Sequence, residues 1–299
     1  MNPPARRVLS TTFVTEGGCG LILVTGSTGN AGSAVVRAVA GAGQEVRALV
    51  RAETKCPSIW PSEVEQVSGD LNRADSLRGA LEGVRAVFLL SGYQQLEELL
   101  TEMRTAGVER VVLLSSSAAP SGDLTNAVAR YHVLSEQAVR ASGLAWTFLQ
   151  PNSFMSNAFR WKAQLAAGDI VRLPFANVRI ATIDPDDLGA VAAAALISGE
   201  HEGRAYRLSG PDSLLPADQV GVLARVLGRD LRFEGQPDAE ARAELSGRMP
   251  AEYVEAFFRF FVEGELDESQ VLPTVEEITG RKPRMFEQWA RAHLEEFGT

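Results

Sequence analysis

The chain has 299 residues, of which 45% are hydrophobic and 22% are charged, a composition typical of a globular protein. Its net charge of −9 and the absence of any Lys/Arg-rich run argue against nucleic acid as a partner. No apolar run approaches the roughly 20 residues that cross a bilayer, and Cys19 and Cys56 lack metal-ligand spacing. We therefore expect a cytoplasmic monomer or homodimer with no metal site and no membrane contact.

The first 20 residues carry two arginines but no sustained apolar region, so a secretory signal is not expected. We predict that residues 1–20 form a disordered extension and that the fold begins at Leu21. A cleaved organellar presequence is the alternative interpretation of this segment.

Short apolar runs alternate with helical patterns between residues 21 and 151. The runs have strand length and show no polar alternation, which is typical of a parallel sheet covered on both faces. The helical stretches end at Ala-Gly or Ser-Gly pairs, as helix C-termini often do. We therefore predict an α/β fold with a Rossmann-type doubly wound parallel sheet, in which residues 21–151 form a dinucleotide-binding domain.

The alternation ends after Pro151. Residues 179–183 (RIATI) predict a strand, and Asp184 and Pro185 predict the N-cap and first position of a helix. No low-complexity linker separates the two parts of the chain. We predict that residues 152–299 form a smaller C-terminal α+β substrate-binding lobe that returns strands to the main sheet.

The segment GSTGNAG follows the first strand directly and opens the first helix. Its three glycines would permit a tight exit from the strand, close approach of a phosphate and close packing of the helix. The free N–H groups and positive dipole end of the helix would then bind a pyrophosphate. A glycine turn without a ligand is the alternative, because the spacing differs by one residue from Gly-x-Gly-x-x-Gly. The predicted cofactor-binding positions here are Gly26, Ser27, Thr28, Gly29, Asn30, Ala31 and Gly32.

The end of the second strand predicts which dinucleotide binds. An NAD-binding chain would place an acidic residue there to bind the ribose 2′-hydroxyl, whereas this chain has Arg51. A guanidinium can pair with a 2′-phosphate and Lys55 lies nearby, so we predict NADPH rather than NADH. Glu53 is a rival acid beyond the strand, and a solvated surface charge is the alternative role for Arg51.

Further candidate contacts follow the other strands, at the carboxyl edge where such sheets bind ligands. Asp70 suits a hydrogen bond to the adenine amino group, and a cap for the following helical turn is the equal alternative. The remaining predicted cofactor contacts are Leu71, Leu90, Ser91, Gly92, Ser115, Ser116, Pro151 and Asn152.

Several phrases along the chain together carry a family resemblance. ILVTGSTGNAG, VSGDL, VFLLSG, VVLLSSSA, the HVLSE helix followed by SGLAWTFLQP, and ITGRKPRMFEQWA resemble the NmrA-like group of atypical short-chain dehydrogenases/reductases. The resemblance runs from about residue 21 to the end of the chain. It implies a group in which some members reduce quinones or other small molecules, often in secondary metabolism, while others are cofactor-sensing regulators without turnover.

The resemblance also points to candidate proton donors. The parent superfamily uses a Tyr-x-x-x-Lys pair, and Tyr131 matches the tyrosine, but Ser135 stands where the lysine should be. An uncharged serine cannot lower a phenol pKa from about 10. His132 is the better predicted acid because imidazole titrates near neutral pH, and Glu136 would fix its tautomer. The resemblance implies that reductases of this branch also carry a histidine and a glutamate at positions 132 and 136. The alternative is a packed structural histidine that hydrogen-bonds a neighbouring carboxylate.

Two aromatic blocks predict the type of substrate. LQPNSFMSNAFRW follows the sixth strand, and AEYVEAFFRFFVEG forms a helix whose aromatic residues cover more than one face. Core packing, a pocket lid and a dimer contact all remain open for the second block. The blocks predict a small, apolar, aromatic substrate, and the predicted contacts are Phe154, Met155, Phe159 and Phe257.

These features predict an NADPH-dependent oxidoreductase that reduces a quinone or a conjugated carbonyl-type small molecule in secondary metabolism. Such acceptors are already electrophilic, so the cofactor supplies the chemistry with little help from a protein acid. The alternative is an NADP(H)-binding protein without redox turnover, either a redox-sensing regulator or a non-redox isomerase or cyclase.

Overall fold

The computed structural model of the chain describes residues 20–51 and 59–298. The predicted disordered extension, apart from Gly20, lies outside the described residues, as do Glu53 and Lys55. Across the two described ranges, no helix is long and apolar enough to cross a membrane.

The strands of the described residues form a seven-stranded sheet and a two-stranded sheet, and every strand pair is parallel. The order of the large sheet is β3-β2-β1-β4-β5-β6-β8, and β7 pairs with β9. The strands are β1 (Leu21–Val24), β2 (Val46–Val50), β3 (Glu65–Ser68), β4 (Val84–Leu90), β5 (Arg110–Leu114), β6 (Ala145–Pro151), β7 (Ile170–Leu173), β8 (Arg204–Leu208) and β9 (Arg232–Gly235).

Helices cover both faces of the large sheet and build most of the C-terminal half. They are α1 (Asn30–Gly41), α2 (Leu96–Thr105), α3 (Ala127–Ala141), α4 (Lys162–Ala167), α5 (Pro185–Ile197), α6 (Pro216–Leu227), α7 (Asp238–Ser246), α8 (Ala251–Phe261), α9 (Thr274–Thr279) and α10 (Phe286–Ala292). The prediction of a Rossmann-type doubly wound α/β fold is confirmed. The strand order reverses between β1 and β4, and such a reversal opens a ligand crevice at the carboxyl ends of the strands.

The strands show no polar alternation because the large sheet packs against an apolar core on each of its two faces. In β1, Ile22 and Val24 face the core under α1 and α5, while Leu23 faces the core under α2. All three side chains are at most 3% exposed. A strand buried on both faces has no position for a solvated side chain, so the sequence reads as a continuous apolar run.

The C-terminal half has its own core and also returns one strand to the large sheet. Trp161, Leu223 and Trp289 belong to this third core, which lies beside the small β7–β9 sheet. β8 pairs with β6 at the edge of the large sheet. The arrangement places the end of β6 between the two halves of the chain.

The prediction of a strand at residues 179–183 is wrong. The segment makes only isolated bridges, from Ile180 to Leu214 and from Ile183 to Phe154. Its N–H groups bond to different segments of the chain instead of one neighbouring strand, so no continuous ladder can form.

Asp184 caps α5, as predicted. Its carboxylate accepts a hydrogen bond from the Asp186 N–H at 2.9 Å, and Pro185 is the first residue of the helix. Arg284, in the C-terminal tail, places its guanidinium Nη1 3.1 Å from Asp184 Oδ2. The backbone N–H of Arg284 donates to Asp187 Oδ2 at 2.7 Å. The tail is therefore held at the N-terminus of α5.

Candidate cofactor and active site

The glycine turn between β1 and α1 leaves no room for side chains at two of its glycines. Gly26 has a φ of +59°, and a Cβ added there would lie 2.4 Å from Leu90 Cδ1. A Cβ on Gly32 would lie 2.2 Å from the carbonyl oxygen of Gly26. The first turn of α1 therefore packs directly against the turn that precedes it, as a phosphate-binding turn requires.

The exposed part of the turn fits a pyrophosphate. Thr28, Gly29 and Asn30 are exposed at the N-terminus of α1, and the first turn of the helix contains no acidic residue. The N-cap, Gly29, provides no side-chain hydrogen bond to the first N–H groups of the helix. Thr25 Oγ1 is buried without a hydrogen-bond partner among the described residues. A first turn with no capping side chain and no acidic residue suits an anionic ligand at the positive end of the helix dipole.

The side chain of Ser27 bonds within the fold, which leaves its backbone for the predicted cofactor contact. Its side chain is fully buried, and its hydroxyl donates to the carbonyl oxygen of Leu49 in β2 at 2.6 Å. That hydrogen bond joins the glycine turn to the neighbouring strand, so the Ser27 hydroxyl is not available to a phosphate. Ala31 is partly buried at the start of α1.

Arg51 and Asp70 follow the ends of β2 and β3, and the charges of both act on Tyr93. Burial raises the pKa of the Tyr93 phenol, while the positive charge of Arg51 lowers it and Asp70 raises it. Arg51 is exposed at the carboxyl edge. The Asp70 carboxylate accepts a hydrogen bond from the Asn72 N–H at 2.9 Å, which supports a local turn role over a dedicated adenine contact. Tyr93 lies in no recognisable sequence motif.

The other strand ends supply backbone and short side chains to the crevice. Ser91 Oγ donates to the carbonyl oxygen of Leu114 at 2.8 Å, and Ser116 Oγ accepts from the Ala118 N–H at 3.2 Å. Both serines are partly exposed. Leu71 is 7% exposed and packs in the core under α2, which leaves its side chain little surface for a ligand.

Ser135 fills the position of the missing lysine with a structural role. Its hydroxyl donates to the carbonyl oxygen of Tyr131 at 2.7 Å and accepts from the Gly92 N–H at 3.1 Å. Gly92 has a φ of +96°, and a Cβ there would lie 3.3 Å from the Tyr131 ring. The serine thus fixes α3 to the loop after β4 and supplies no charge.

Glu136 does not orient His132. Its Oε1 accepts hydrogen bonds from Ser115 Oγ at 2.6 Å and from Gln150 Nε2 at 2.8 Å. Its Oε2 lies 3.4 Å from Arg140 Nη2. The predicted hydrogen bond between Glu136 and His132 is therefore wrong, because both carboxylate oxygens face other partners and the carboxylate joins α3 to β5 and β6.

His132 is a poor acid in this environment. Burial lowers the pKa of its imidazole from 6.5 to about 4, so the ring is neutral at pH 7. Its Nδ1 is buried with no hydrogen-bond partner in the described ranges. Burial raises the pKa of the adjacent Tyr131 phenol, and the two ring centroids are 4.1 Å apart. The premise that His132 titrates near neutrality is wrong because the side chain is only 9% exposed.

The end of β6 holds two of the predicted cofactor contacts, Pro151 and Asn152. Asn152 Nδ2 donates to the carbonyl oxygens of Ala181, at 3.3 Å, and Glu268, at 2.9 Å. Two carbonyl acceptors fix the amide orientation, so Asn152 Oδ1 is the buried atom without a described partner. Pro151 is buried beside it, and its carbonyl oxygen accepts from the Ser117 N–H at 3.0 Å.

An apolar cavity of about 520 Å³ opens beside this strand end. Phe154 and Phe257, two of the predicted substrate contacts, line it together with Ser153. Met155 does not, because it is 2% exposed and packs in the third core. Phe159 lies instead in a separate cleft of about 860 Å³, which it shares with Thr28, Gly29 and Asn30.

Comparison with known proteins agrees with this geometry. Residues 26–198 match the family described as NAD(P)H-binding. The chain belongs to this NAD(P)H-binding family. It is 38% identical over 281 residues to (4-alkanoyl-5-oxo-2,5-dihydrofuran-3-yl)methyl phosphate reductase of Streptomyces griseus, covering 93% of this chain and 99% of that protein. It is 33% identical over 286 residues to NAD(P)H azoreductase of Xenophilus azovorans, again covering 93% and 99%.

A solved structure shows the same fold for this member of the NAD(P)H-binding family. The NADPH-dependent quinone oxidoreductase of Escherichia coli aligns with a TM-score of 0.75 and 20% identity, covering 92% of this chain and 99% of that one. The predicted NmrA-like family and NAD(P)H-dependent oxidoreductase class are confirmed, and the family model supports a nicotinamide dinucleotide, NAD(P)H, as the cofactor.

Proposed function

We propose that this chain uses NADPH to reduce an electron-poor, conjugated double bond in a small, largely apolar molecule. The observation that carries the proposal is the apolar cavity at the end of β6, with Phe154 and Phe257 in its wall. Pockets of this size and lining bind small apolar molecules and orient them with a few polar groups.

The side chains of α3 support an acceptor that is already electrophilic. The Tyr131 phenol has a raised pKa, the His132 imidazole is neutral at pH 7, and Ser135 cannot supply a cation. An unactivated ketone needs a proton at its oxygen as the hydride arrives, and these groups are poorly suited to give one. A conjugated alkene, a quinone or an azo bond delocalises the incoming charge over its own atoms.

The relatives favour the same class of acceptor. The substrate name of the Streptomyces griseus reductase describes a furanone whose ring double bond is conjugated with the ring carbonyl and with an alkanoyl group. The azoreductase acts on a nitrogen–nitrogen double bond by its name. The carbon–carbon bond of the furanone and the azo bond are both electron-poor double bonds, and neither is the carbonyl group of a simple ketone.

The residues at the carboxyl edge suggest how the cofactor would be held. The N–H groups of Thr28 and Asn30 would bind the pyrophosphate, and Arg51 would pair with the 2′-phosphate. When bound, the cofactor supplies the hydride, and the protein supplies position and an apolar environment.

The test is a panel of acceptors offered with NADPH, followed by loss of the reduced nicotinamide absorbance. We expect turnover with acyl-butenolides, quinones or azo dyes, and none with simple ketones and aldehydes. Tight NADPH binding without oxidation across the conjugated panel would overturn the proposal and favour the regulator or isomerase alternative.

A pair of variants in α8 tests the cavity. Phe257→Leu should raise KM for the best acceptor several-fold, because Phe257 lines the cavity. Phe260→Leu removes a ring from the same helix but at a buried position that packs against Ala118 and Ala129. It should leave KM unchanged, and equal effects of the two variants would contradict the assignment of the cavity.

A further inference from the structure

Glu268 places a carboxyl group between the loops that follow β5 and β6. Its Oε1 accepts hydrogen bonds from Ser117 Oγ at 2.6 Å and from the Ser153 N–H at 3.1 Å. Its Oε2 lies 2.7 Å from Ser153 Oγ. The side chain is only 5% exposed.

The two carboxyl oxygens are not equivalent. Oε1 faces two donors, so it suits the carbonyl oxygen of a neutral acid. Oε2 faces only the Ser153 hydroxyl among the described residues, and a hydroxyl can accept as well as donate. A proton on Oε2 would therefore be donated to Ser153 Oγ, and the Ser153 O–H would be free to turn towards the cavity that Ser153 lines.

The electrostatic surroundings favour the neutral acid. Burial raises the pKa of the Glu268 carboxyl, while the hydrogen bonds from Ser117 and Ser153 and the charge of Arg207 lower it. Arg207, on β8, donates to the carbonyl oxygen of Asp267 at 3.3 Å. The Asp267 carboxylate is turned towards Ser269, so it does not share the Glu268 site.

We propose that Ser153 is the catalytic proton donor to the reduced acceptor and that Glu268 supplies the proton through it. The inference rests on the proposed function, since it requires an acceptor in the cavity. Glu268 acts through Ser153 and is a positioning residue. The pair would supply the proton that the conjugated system takes up after the hydride has arrived, whereas Tyr131 and Ser135 on α3 are poorly suited to give one.

The proton balance is simple. The acceptor gains one hydride from the reduced nicotinamide and is left with a negative charge on its conjugated system. The Ser153 O–H bond then breaks as its proton bonds to that system, and the Glu268 O–H bond breaks as its proton passes to Ser153 Oγ. Coupling the two transfers avoids a free alkoxide, and the Glu268 carboxylate regains its proton from solvent after product leaves.

The Glu268→Gln variant tests whether Glu268 supplies the proton, because it removes the acidic proton and keeps the hydrogen bonds. The amide oxygen can accept from Ser117 and from the Ser153 N–H, and the amide N–H can donate to Ser153 Oγ. We expect kcat to fall on the order of 100-fold, the size typical of a lost acid catalyst, with unchanged Kd for NADPH. The wild-type kcat should fall as pH rises through the raised Glu268 pKa, and this limb should vanish in the variant.

Two further variants separate catalysis from structure. Ser153→Ala should lower kcat as much as Glu268→Gln, and the double variant should be no worse than either. Glu265→Gln alters an exposed carboxylate of the same segment, which pairs with Arg259, and should change neither kcat nor its pH profile. Additive effects of Ser153→Ala and Glu268→Gln would overturn the relay.

Infrared difference spectroscopy gives a readout without turnover. In the pH range below the fall in kcat, the wild-type protein should show the C=O band of a protonated carboxyl that is absent from Glu268→Gln. Lack of that band, or a Glu268→Gln variant with wild-type kcat and pH profile, would refute the inference. If no acceptor in the panel is reduced, the proposed function fails, and the infrared band still decides the protonation of Glu268.

Discussion

Gly32→Ala is the most direct test of the phosphate-binding turn. The new Cβ would lie 2.2 Å from the Gly26 carbonyl oxygen, 2.6 Å from Gly26 C and 2.9 Å from Ser27 N. These are backbone atoms of the turn itself, so no flexible side chain can move aside. To reach ordinary contact distance, α1 and the turn must separate by about 1 Å in a tightly packed region.

The expected losses follow from that displacement. Overpacking of this kind costs about 1–3 kcal/mol of folding stability. Loss of one hydrogen bond to a charged phosphate costs a further ~1.5–3 kcal/mol of binding free energy, which weakens NADPH binding by roughly 10- to 150-fold. Calorimetric titration with NADPH measures the loss of binding free energy, and urea unfolding measures the loss of folding stability.

Gly41→Ala is the matched control because it lies at the other end of the same helix. A Cβ there meets no atom within 4 Å. The substitution should leave the NADPH Kd unchanged and raise stability by up to ~1 kcal/mol through helix propensity. Wild-type NADPH affinity in Gly32→Ala would refute the assignment of this turn to the pyrophosphate.

Three other predictions follow from the described contacts. Arg51→Ala should weaken NADPH at least about tenfold in calorimetry and leave NADH unchanged, because only NADPH carries the 2′-phosphate. His132 has a folded pKa lowered from 6.5 to about 4, so its stabilising effect is present above pH 6.5 and lost as pH falls to 4. Urea unfolding at about pH 7.5 and about pH 4.5 should therefore show wild type losing roughly 2–3 kcal/mol more than His132→Asn. Arg284→Ala should cost about 3–5 kcal/mol, because it leaves the 1% exposed Asp184 carboxylate without its cation.

The two arginine predictions have control variants in the chain. Arg73→Ala removes an exposed arginine paired with Asp75 and should not change NADPH affinity. Arg291→Ala breaks an exposed pair with Glu287 on α10 and should cost less than ~1 kcal/mol. An Arg284→Ala variant as stable as Arg291→Ala would contradict the role of the tail in neutralising Asp184, and a pH-independent difference between wild type and His132→Asn would contradict the buried neutral imidazole.

The local signals in the sequence were the reliable ones. The apolar runs of the sheet, the glycine turn and the cap at Asp184 each depend on neighbouring residues, and the structure has all three. The strand prediction for residues 179–183 was wrong because β-propensity does not reveal whether a single partner strand is available for pairing.

The active-site chemistry could not be predicted in the same way. Glu268 and Ser153 are 115 residues apart, and no periodic pattern connects them. The His132 pKa depends on burial, and the partners of Glu136 come from β5 and β6. The sequence shows the types of these residues, but tertiary packing sets their charge states and their hydrogen-bond partners.

Ser135 limits how this protein could be converted into a Tyr–Lys reductase. A lysine there would place an ammonium group at a position only 3% exposed and remove the acceptor of the Gly92 N–H. The loop after β4 and helix α3 would then have to move together before the cation could reach a ribose or a phenol. Conversion to a Tyr–Lys pair would accordingly need coordinated substitutions in the loop after β4 and in α3.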